Sequence, residues 1–537
     1  MAPGRPSVLR ALGCARWVAF LAAIAGAHAA ASPAVAPAPS SEPQHFAIEE
    51  FRVEGNTLLP NEEIEAAVYG FLGPNRTAAD AEQARAALED LYRKKGYPTV
   101  TAELPRQSID SGVIVLTVTE RKIGRLRVTG AHYFEPDVVR RHAPSLAPGT
   151  VPNMRQVRRD ILALNHQPDR SVTPVLKAGK APDTVDVDLE VADKLPLHGS
   201  LELDNRQSAD TTALRTTGSL RYDNLWQRGD SASFFFQVAP QHMPDAQVFS
   251  GSYLFHIPDT DLALLGSYLS SDSNVTSIGG TNVVGKGQIY GLRLIIPLTQ
   301  DNGFTQALSV GMDYKDFSQA LTLSGQGSHV PLQYYPVAAS YQADWVGKRS
   351  QTDLTAGVVA GTRGLGGSDA AFDNNRFDAK ANFFYLRGAI SHTDELPWGM
   401  QAWARLQGQA SAEPLVPNEQ LSAGGQDTVR GYLESEVLGD SGAILQMELR
   451  GPSLAKRIGP LVNDFRLHAF VDLAHTSINQ PLPEQVQKYS LGSVGVGLRV
   501  RLLDHLSGTI EDAFVLSNGP TTKAGSDRVL FRVLGEF

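Results

Sequence analysis

A single cysteine, Cys14, occurs in 537 residues, inside an N-terminal stretch expected to be removed. The remaining chain can build neither a disulfide framework nor a cysteine metal site. Positive charge is also short. Lys and Arg total 48 against 57 Asp and Glu, a net charge of −9, which argues against a general nucleic-acid binder and its basic patch. Beyond the N-terminus there is no run of about 18 apolar residues, so no membrane-spanning helix is expected. That absence excludes only one way of crossing a bilayer. A membrane β-barrel hides its apolar face by alternation and keeps an ordinary overall hydropathy; here the mean hydropathy is −0.17.

Catalytic groupings are missing too. The 13 histidines are scattered without ligand spacing, and no nucleophile, base and oxyanion set is visible. No metal, cofactor or enzymatic activity is expected. Gly439-Asp440-Ser441-Gly442 imitates a serine-protease nucleophile motif, but it falls where a loop should become a strand. Gly361 to Gly367 is glycine-rich but lacks the following helix and Lys-Ser/Thr of a phosphate loop.

What is present begins with Arg5, Arg10 and Arg16, an apolar stretch from Trp17 to Ala27, and the small-x-small step Ala27-His28-Ala29. Residues 1–29 read as a secretory signal peptide. Residues 30–45 form a Pro/Ala-rich leader, too short for a helix plus linker. From Phe46 the pattern is strand, helix, helix, strand, strand. Phe51-Arg52-Val53 closes at Gly55. Ile64, Ala67 and Val68 make a small helical stripe, and Ala81, Ala84, Leu88, Leu91 and Tyr92 a longer one. Thr77 with Asp80 is a capping box, and Gly96 is a C-terminal stop. Val113 to Val118 is a buried strand. The same β-α-α-β-β unit then returns about 75 residues on, through Leu126 and Val128 to Gly130, helices at Pro136 to His142 and Met154 to Leu164, and strands at Val172 and Val185 to Val191. The expected modules are 46–121 and 122–194.

Over 195–537 helical periodicity largely disappears. About sixteen alternating segments of roughly ten residues follow, the length a tilted strand needs to cross a bilayer. Gln446, Glu448 and Arg450 oppose Leu445, Met447 and Leu449; Arg528, Arg532 and Glu536 oppose Val529, Phe531, Val533 and Phe537. The gaps alternate short and long. Pro258 to Thr260 and Thr299 to Asn302 are tight, whereas Ser271 to Lys286, Ser318 to Val330 and Gly408 to Asp440 read as long surface loops. The expected fold is mixed: two periplasmic β-α-α-β-β domains followed by a 16-stranded antiparallel transmembrane β-barrel. The sequence ends on an aromatic residue, Phe537, the expected insertion signal.

With the first strand entering from the periplasm, Val429-Arg430-Gly431-Tyr432 lies in the sixth surface loop. Asp472 lies on the thirteenth strand, in phase with Arg466, His468 and Phe470, and should face the lumen. Guanidinium and carboxylate pair bidentately and keep full charge. The residues alone leave two readings open: a loop tucked into the pore and latched by Arg430 to Asp472, or a solvated Arg and a structural Asp.

On these motifs the chain resembles the transporter component of two-partner secretion, the TpsB (ShlB/FhaC/HecB-like) family. The loop motif V-R-G-[YF] matches Val429 to Tyr432, with Gly424-Gly425 leading in. The strand motif F-x-D-x-G matches at Phe470 and Asp472 but has Ala474 in place of Gly. The resemblance implies two POTRA domains ahead of the barrel, a location in the outer membrane of a Gram-negative bacterium, and the loop-six latch. It also implies a secreted TpsA-like exoprotein bound by the POTRA domains, exported unfolded. Outer-membrane lipid and the barrel-assembly machinery are the other expected partners, and no nucleic acid is. The related insertases that place other barrels in the membrane are the alternative within the superfamily. A passive porin or receptor is the alternative of another class, and would not need periplasmic repeats.

Overall fold

The structure, a computed structural model, describes residues 44–537 apart from 166, 259, 279–280, 299–302 and 324–325; the side chains of 274–285 and 319–329 are also outside the description. The expected signal peptide, nearly all of the leader, and the turn at Thr299 to Asn302 lie outside the described residues. The chain forms two compact units, one ending at Glu120 and one running from Arg121 to Phe537.

In the first unit, Glu50–Glu54 pairs in parallel with Val113–Thr119, which pairs antiparallel with Thr101–Glu103. Helices Asn61–Val68 and Ala78–Lys95 complete it. The longer helix starts at the Thr77–Asp80 capping box and stops at Gly96, which takes a left-handed φ of 101°. Its buried stripe, Ala81, Ala84, Leu88 and Tyr92, repeats at three and four residues. The second unit opens with the same topology: Lys122–Thr129 parallel to Thr184–Asp193, itself antiparallel to Arg170–Ala178, with helices Pro136–Arg141 and Met154–Leu164.

The repeat extends to one atomic device. Gly55 has φ 88°, and a Cβ there would lie 2.3 Å from the Val118 carbonyl oxygen; Gly130 has φ 82°, and its Cβ would lie 2.4 Å from that of Val191. Only glycine can turn the chain this tightly across the neighbouring strand. Two residues beyond each valine, a carboxylate gathers the amides of the turn. Glu120 accepts from the N–H groups of Thr57 (2.8 Å) and Leu58 (3.0 Å), and Asp193 from those of His132, Tyr133 and Phe134 at 2.8, 2.7 and 3.1 Å.

Burial alone would raise both acids, but the donated hydrogen bonds outweigh it and hold both below their ordinary values. A carboxyl lowered by folding stabilises the fold above its unfolded titration range, and that contribution is lost as pH falls through the folded value. Both modules should therefore weaken below about pH 4. Asp193→Ala should destabilise the second module by about 2 kcal/mol. Denaturant-dependent proteolysis of residues 122–194 in the intact chain measures this, and an unchanged midpoint would refute it.

Sixteen antiparallel strands close the barrel: Leu197–Asp204, Arg215–Leu225, Asp230–Val238, Ala246–His256, Ala263–Ile278, Thr281–Pro297, Phe304–Leu323, Gln326–Tyr334 with Val337–Val346, Ser350–Gly361, Phe383–Glu395, Gln401–Ser411, Ser441–Arg450, Val462–Ser477, Lys488–Leu502, Leu506–Val515 and Asp527–Glu536. The eighth is one strand interrupted at Tyr335-Pro336, because proline has no N–H for the ladder. The alternation sorts as expected. Leu220, Met447, Leu449, Leu467, Val496 and Val529 are exposed on the outer face, while Gln446, Glu448, His468, Asp472 and Glu511 are buried inside.

The seam joins Arg532–Glu536 to Ser200–Asp204. Phe537 extends it by exchanging two backbone hydrogen bonds with Gly199, and the Asn205 amide bonds Val529 and Phe531 above it. The second module meets the barrel through polar contacts. Gln227, in the turn after the second strand, donates to the Tyr133 carbonyl and accepts from the Glu135 N–H, and His198 Nε2 lies 2.8 Å from Asp169.

Two expected surface loops are corrected. Across Ser271 to Lys286 and Ser318 to Val330 the strands continue to Ile278 and Leu323 and resume at Thr281 and Gln326. A hairpin projecting past the lipid has water on both faces, so its polar residues resemble loop composition while the ladder persists. The fifth surface loop carries a helix, Asp369–Asn375, capped by Ser368 and buried through Phe372, and the tenth strand begins at Phe383. Seven residues are too few for helical periodicity to register.

Candidate functional site: a surface loop held in the barrel lumen

The loop between Ser411 and Ser441 folds inward. Leu421–Ala423 and Val437–Gly439 pair as a short hairpin whose tip carries Gly424 to Glu436. Gly431 adopts φ 92° against Val515 and Ala513, where a side chain would be strained and crowded. This turn aims its two neighbours in different directions. Val429 and Tyr432, both fully buried, pack with Val437, Ile444, Ala474, Leu491 and Val515. Ala474, at the position where glycine was expected, is thus part of the wall against which the loop rests. The Tyr432 hydroxyl donates to the Ser517 carbonyl at 2.6 Å and accepts from the Gly492 N–H at 3.2 Å.

Arg430 is 3% exposed and Asp472 0%. Arg430 Nε and Nη2 donate to the two Asp472 oxygens at 2.7 Å each, and the Arg430 backbone N–H adds a third bond at 3.1 Å. The guanidinium sits over the Phe470 ring, Cζ 3.6 Å from the ring centroid. The expected partners are together, and two more carboxylates join them. Nη1 reaches Glu448 at 2.8 Å and Glu511 at 3.0 Å. Glu448 also binds Arg450 and Arg499, and Glu511 lies 2.8 Å from His468 Nε2.

Three carboxylates thus face three guanidiniums across strands twelve to fifteen. Such a network compensates charges that would be costly if buried singly. Glu448 was legible as an inward residue of its strand, but nothing in the sequence tied it or Glu511 to Arg430. The ligand atoms of Glu448, His468 and Glu511 come within 4.8 Å of one another, but the guanidiniums occupy the space a cation would need.

The rest of the loop is fastened elsewhere, at points the sequence did not reveal. Glu419, in the loop's short helical turn, is buried and held by Lys315 and by the hydroxyls of Tyr334 and Tyr385 at 2.6 and 2.7 Å. Asp440 accepts from Leu415, Gln420 and Asn479 and pairs with Arg376, tying loops five, six and seven. Asp440 and Ser441 of the protease-like string are therefore engaged in structural bonds, Ser441 with the Ser411 backbone. Asp427 pairs with Arg206 of the first loop, and Glu436 accepts from Thr521 and Thr522 of the eighth.

A closed sixteen-stranded barrel that follows β-α-α-β-β modules and holds its own surface loop in the lumen defines a class of membrane barrel whose pore is occupied by its own chain. A family model described as haemolysin secretion/activation protein ShlB/FhaC/HecB matches residues 183–500, and one for the ShlB-type POTRA domain matches residues 46–120. The chain belongs to the ShlB/FhaC/HecB family. It is an outer-membrane transporter of two-partner secretion, with its POTRA region in the periplasm and an exoprotein as partner.

The chain is 23% identical over 486 residues to the outer membrane transporter CdiB of Dickeya dadantii, covering 85% of this chain and 81% of that one. The structure of CdiB from Escherichia coli superposes with a TM-score of 0.61 at 20% identity, covering 94% of this chain and 93% of the other. BamA from Haemophilus ducreyi lacking POTRA domains 1–3 superposes at 0.55 with 14% identity, over 92% of this chain and 100% of that one. These likenesses establish the shared fold. The ShlB/FhaC/HecB family and its CdiB relatives are transporters, not enzymes.

Proposed function

We propose that the chain divides into POTRA domains at 46–121 and 122–194 and a barrel at 195–537, and that the two POTRA domains receive the partner exoprotein unfolded. Recognition is by strand addition: backbone hydrogen bonds along a sheet edge supply affinity with little demand on sequence. The second module offers Arg170–Ala178 as its nine-residue edge. Its Pro174 removes one donor from that edge. The exoprotein then passes through the lumen once the sixth loop leaves it, and folding outside supplies direction. Val429, Arg430, Gly431 and Tyr432, with Phe470 and Asp472, are the latch that holds the loop between cycles. The exposed ring of Phe537 at the seam serves as the signal read by the barrel-assembly machinery.

The observation carrying this reading is the union of a loop-filled lumen with repeated periplasmic modules in one chain of this family. Co-expression with a candidate TpsA-like exoprotein tests the reading. The exoprotein should reach the medium only when this chain is present, and accumulation of other barrels in the membrane without any exported partner would favour an insertase instead.

A further inference from the structure

The outer wall of strands four to eight carries a feature the transport function does not use. Tyr268, Tyr290, Tyr314 and Tyr335 form a continuous row across strands five to eight, with ring centroids 4.8, 6.1 and 4.9 Å apart. They face outward: Tyr268, Tyr290 and Tyr335 are exposed, while the opposite-phase Ile289, Phe317 and Leu332 are buried inside.

A second aromatic pair, Phe304 stacked on Trp345 at 5.0 Å, lies at the periplasmic end of the same wall. Phe304 and Tyr314 sit ten positions apart on one strand. At about 3.3 Å per residue and a tilt near 40°, that separation is about 25 Å, the height of the apolar band of an outer-membrane barrel. Exposed Leu292 and Met312 lie between the two rows. The tyrosines therefore mark the outer interface of the bilayer.

Directly above this row the same face carries an open depression of about 380 Å³. Phe249, Ser270, Asp272, Lys286, Gln288 and Asp316 line it. Register places them side by side: Phe249 opposite Ser270, Asp272 opposite Lys286, and Gln288 opposite both Ser270 and Asp316. The tyrosines reach up to it, the Tyr290 hydroxyl to Gln288 at 3.0 Å and the Tyr314 hydroxyl to Asp316 at 3.4 Å. Lys286 is engaged with Asp272 at 2.9 Å, so the depression presents carboxylates, an amide and hydroxyls beside an aromatic ring, with no free cation among these lining residues. That set suits a hydroxyl-rich, uncharged group and not a phosphate.

From this placement we infer that the depression holds a sugar of an outer-leaflet glycolipid, whose acyl chains lie along the apolar band below the tyrosines. Its continuity with the lipid-facing wall selects a membrane lipid over a soluble saccharide. The site would fix the lipid boundary beside the hairpins that project from strands five to eight.

The test uses the full chain in detergent, titrated with rough lipopolysaccharide bearing its core sugars and with the same lipid trimmed of them, bound lipid being read by native mass spectrometry. The sugar-bearing lipid should bind at least tenfold more tightly. Asp316→Ala with Gln288→Ala should remove that preference while leaving the heat-modifiable mobility of the barrel intact. Equal affinity of the two lipids for the unaltered protein would overturn the proposal, as would a folded double variant that keeps the preference. Should the variant fail to fold, the comparison on the unaltered protein decides alone.

Discussion

Arg430→Ala should abolish or strongly reduce secretion while the barrel still inserts. The guanidinium is the hub of the lumenal network, bonded to Asp472, Glu448 and Glu511. Removing it leaves three carboxylates without their shared partner, although Arg450 and Arg499 still serve Glu448. Breaking one side of a buried pair costs about 3–5 kcal/mol, and less where water enters the lumen. Asp472→Ala should be the milder change, because the guanidinium it abandons keeps two other acids. It still loses the bidentate fork and the bond to the Arg430 backbone N–H. The double variant should secrete no worse than Arg430→Ala alone, since both changes remove one interaction. Exchanging the two charges should restore little, because an arginine on the strand cannot reproduce the fork from the opposite side. A double-mutant cycle on secretion rate decides the matter. If the two losses simply multiply, the residues act independently and there is no latch.

Deleting Phe46 to Asp193 should produce an inserted barrel that exports nothing. The barrel closes on itself through the Arg532–Glu536 seam, without help from either module. Its links to the second module, through Gln227 and His198, are polar groups at a water-facing turn and strand start, so their exposure costs little. Insertion is read from heat-modifiable mobility and export from the exoprotein in the medium. Normal export by the truncated chain would sink the receptor role of the modules.

Periodicity determined the architecture. Period-two alternation over short segments required strands with two unlike faces, and their number, with gaps alternating short and long, pointed to a transmembrane barrel. The Thr77–Asp80 box, the Gly96 stop and the Gly55 and Gly130 turns are local signals, set by dihedral preferences and short-range hydrogen bonds, and they were legible residue by residue. So was the inward phase of Asp472, because alternation assigns a face to every residue of a strand.

Tertiary structure alone decided what meets inside. Which acids surround Arg430 depends on how strands twelve to fifteen are staggered around the wall, and stagger leaves no mark in any single segment. Glu419 and Asp440 are held by residues from three strands and three loops, far apart in the chain, so no local pattern could point to them. The hairpins beyond Ser271 and Ser318 have the composition of loops because polarity reports water, whereas only the neighbouring strand decides whether the ladder continues.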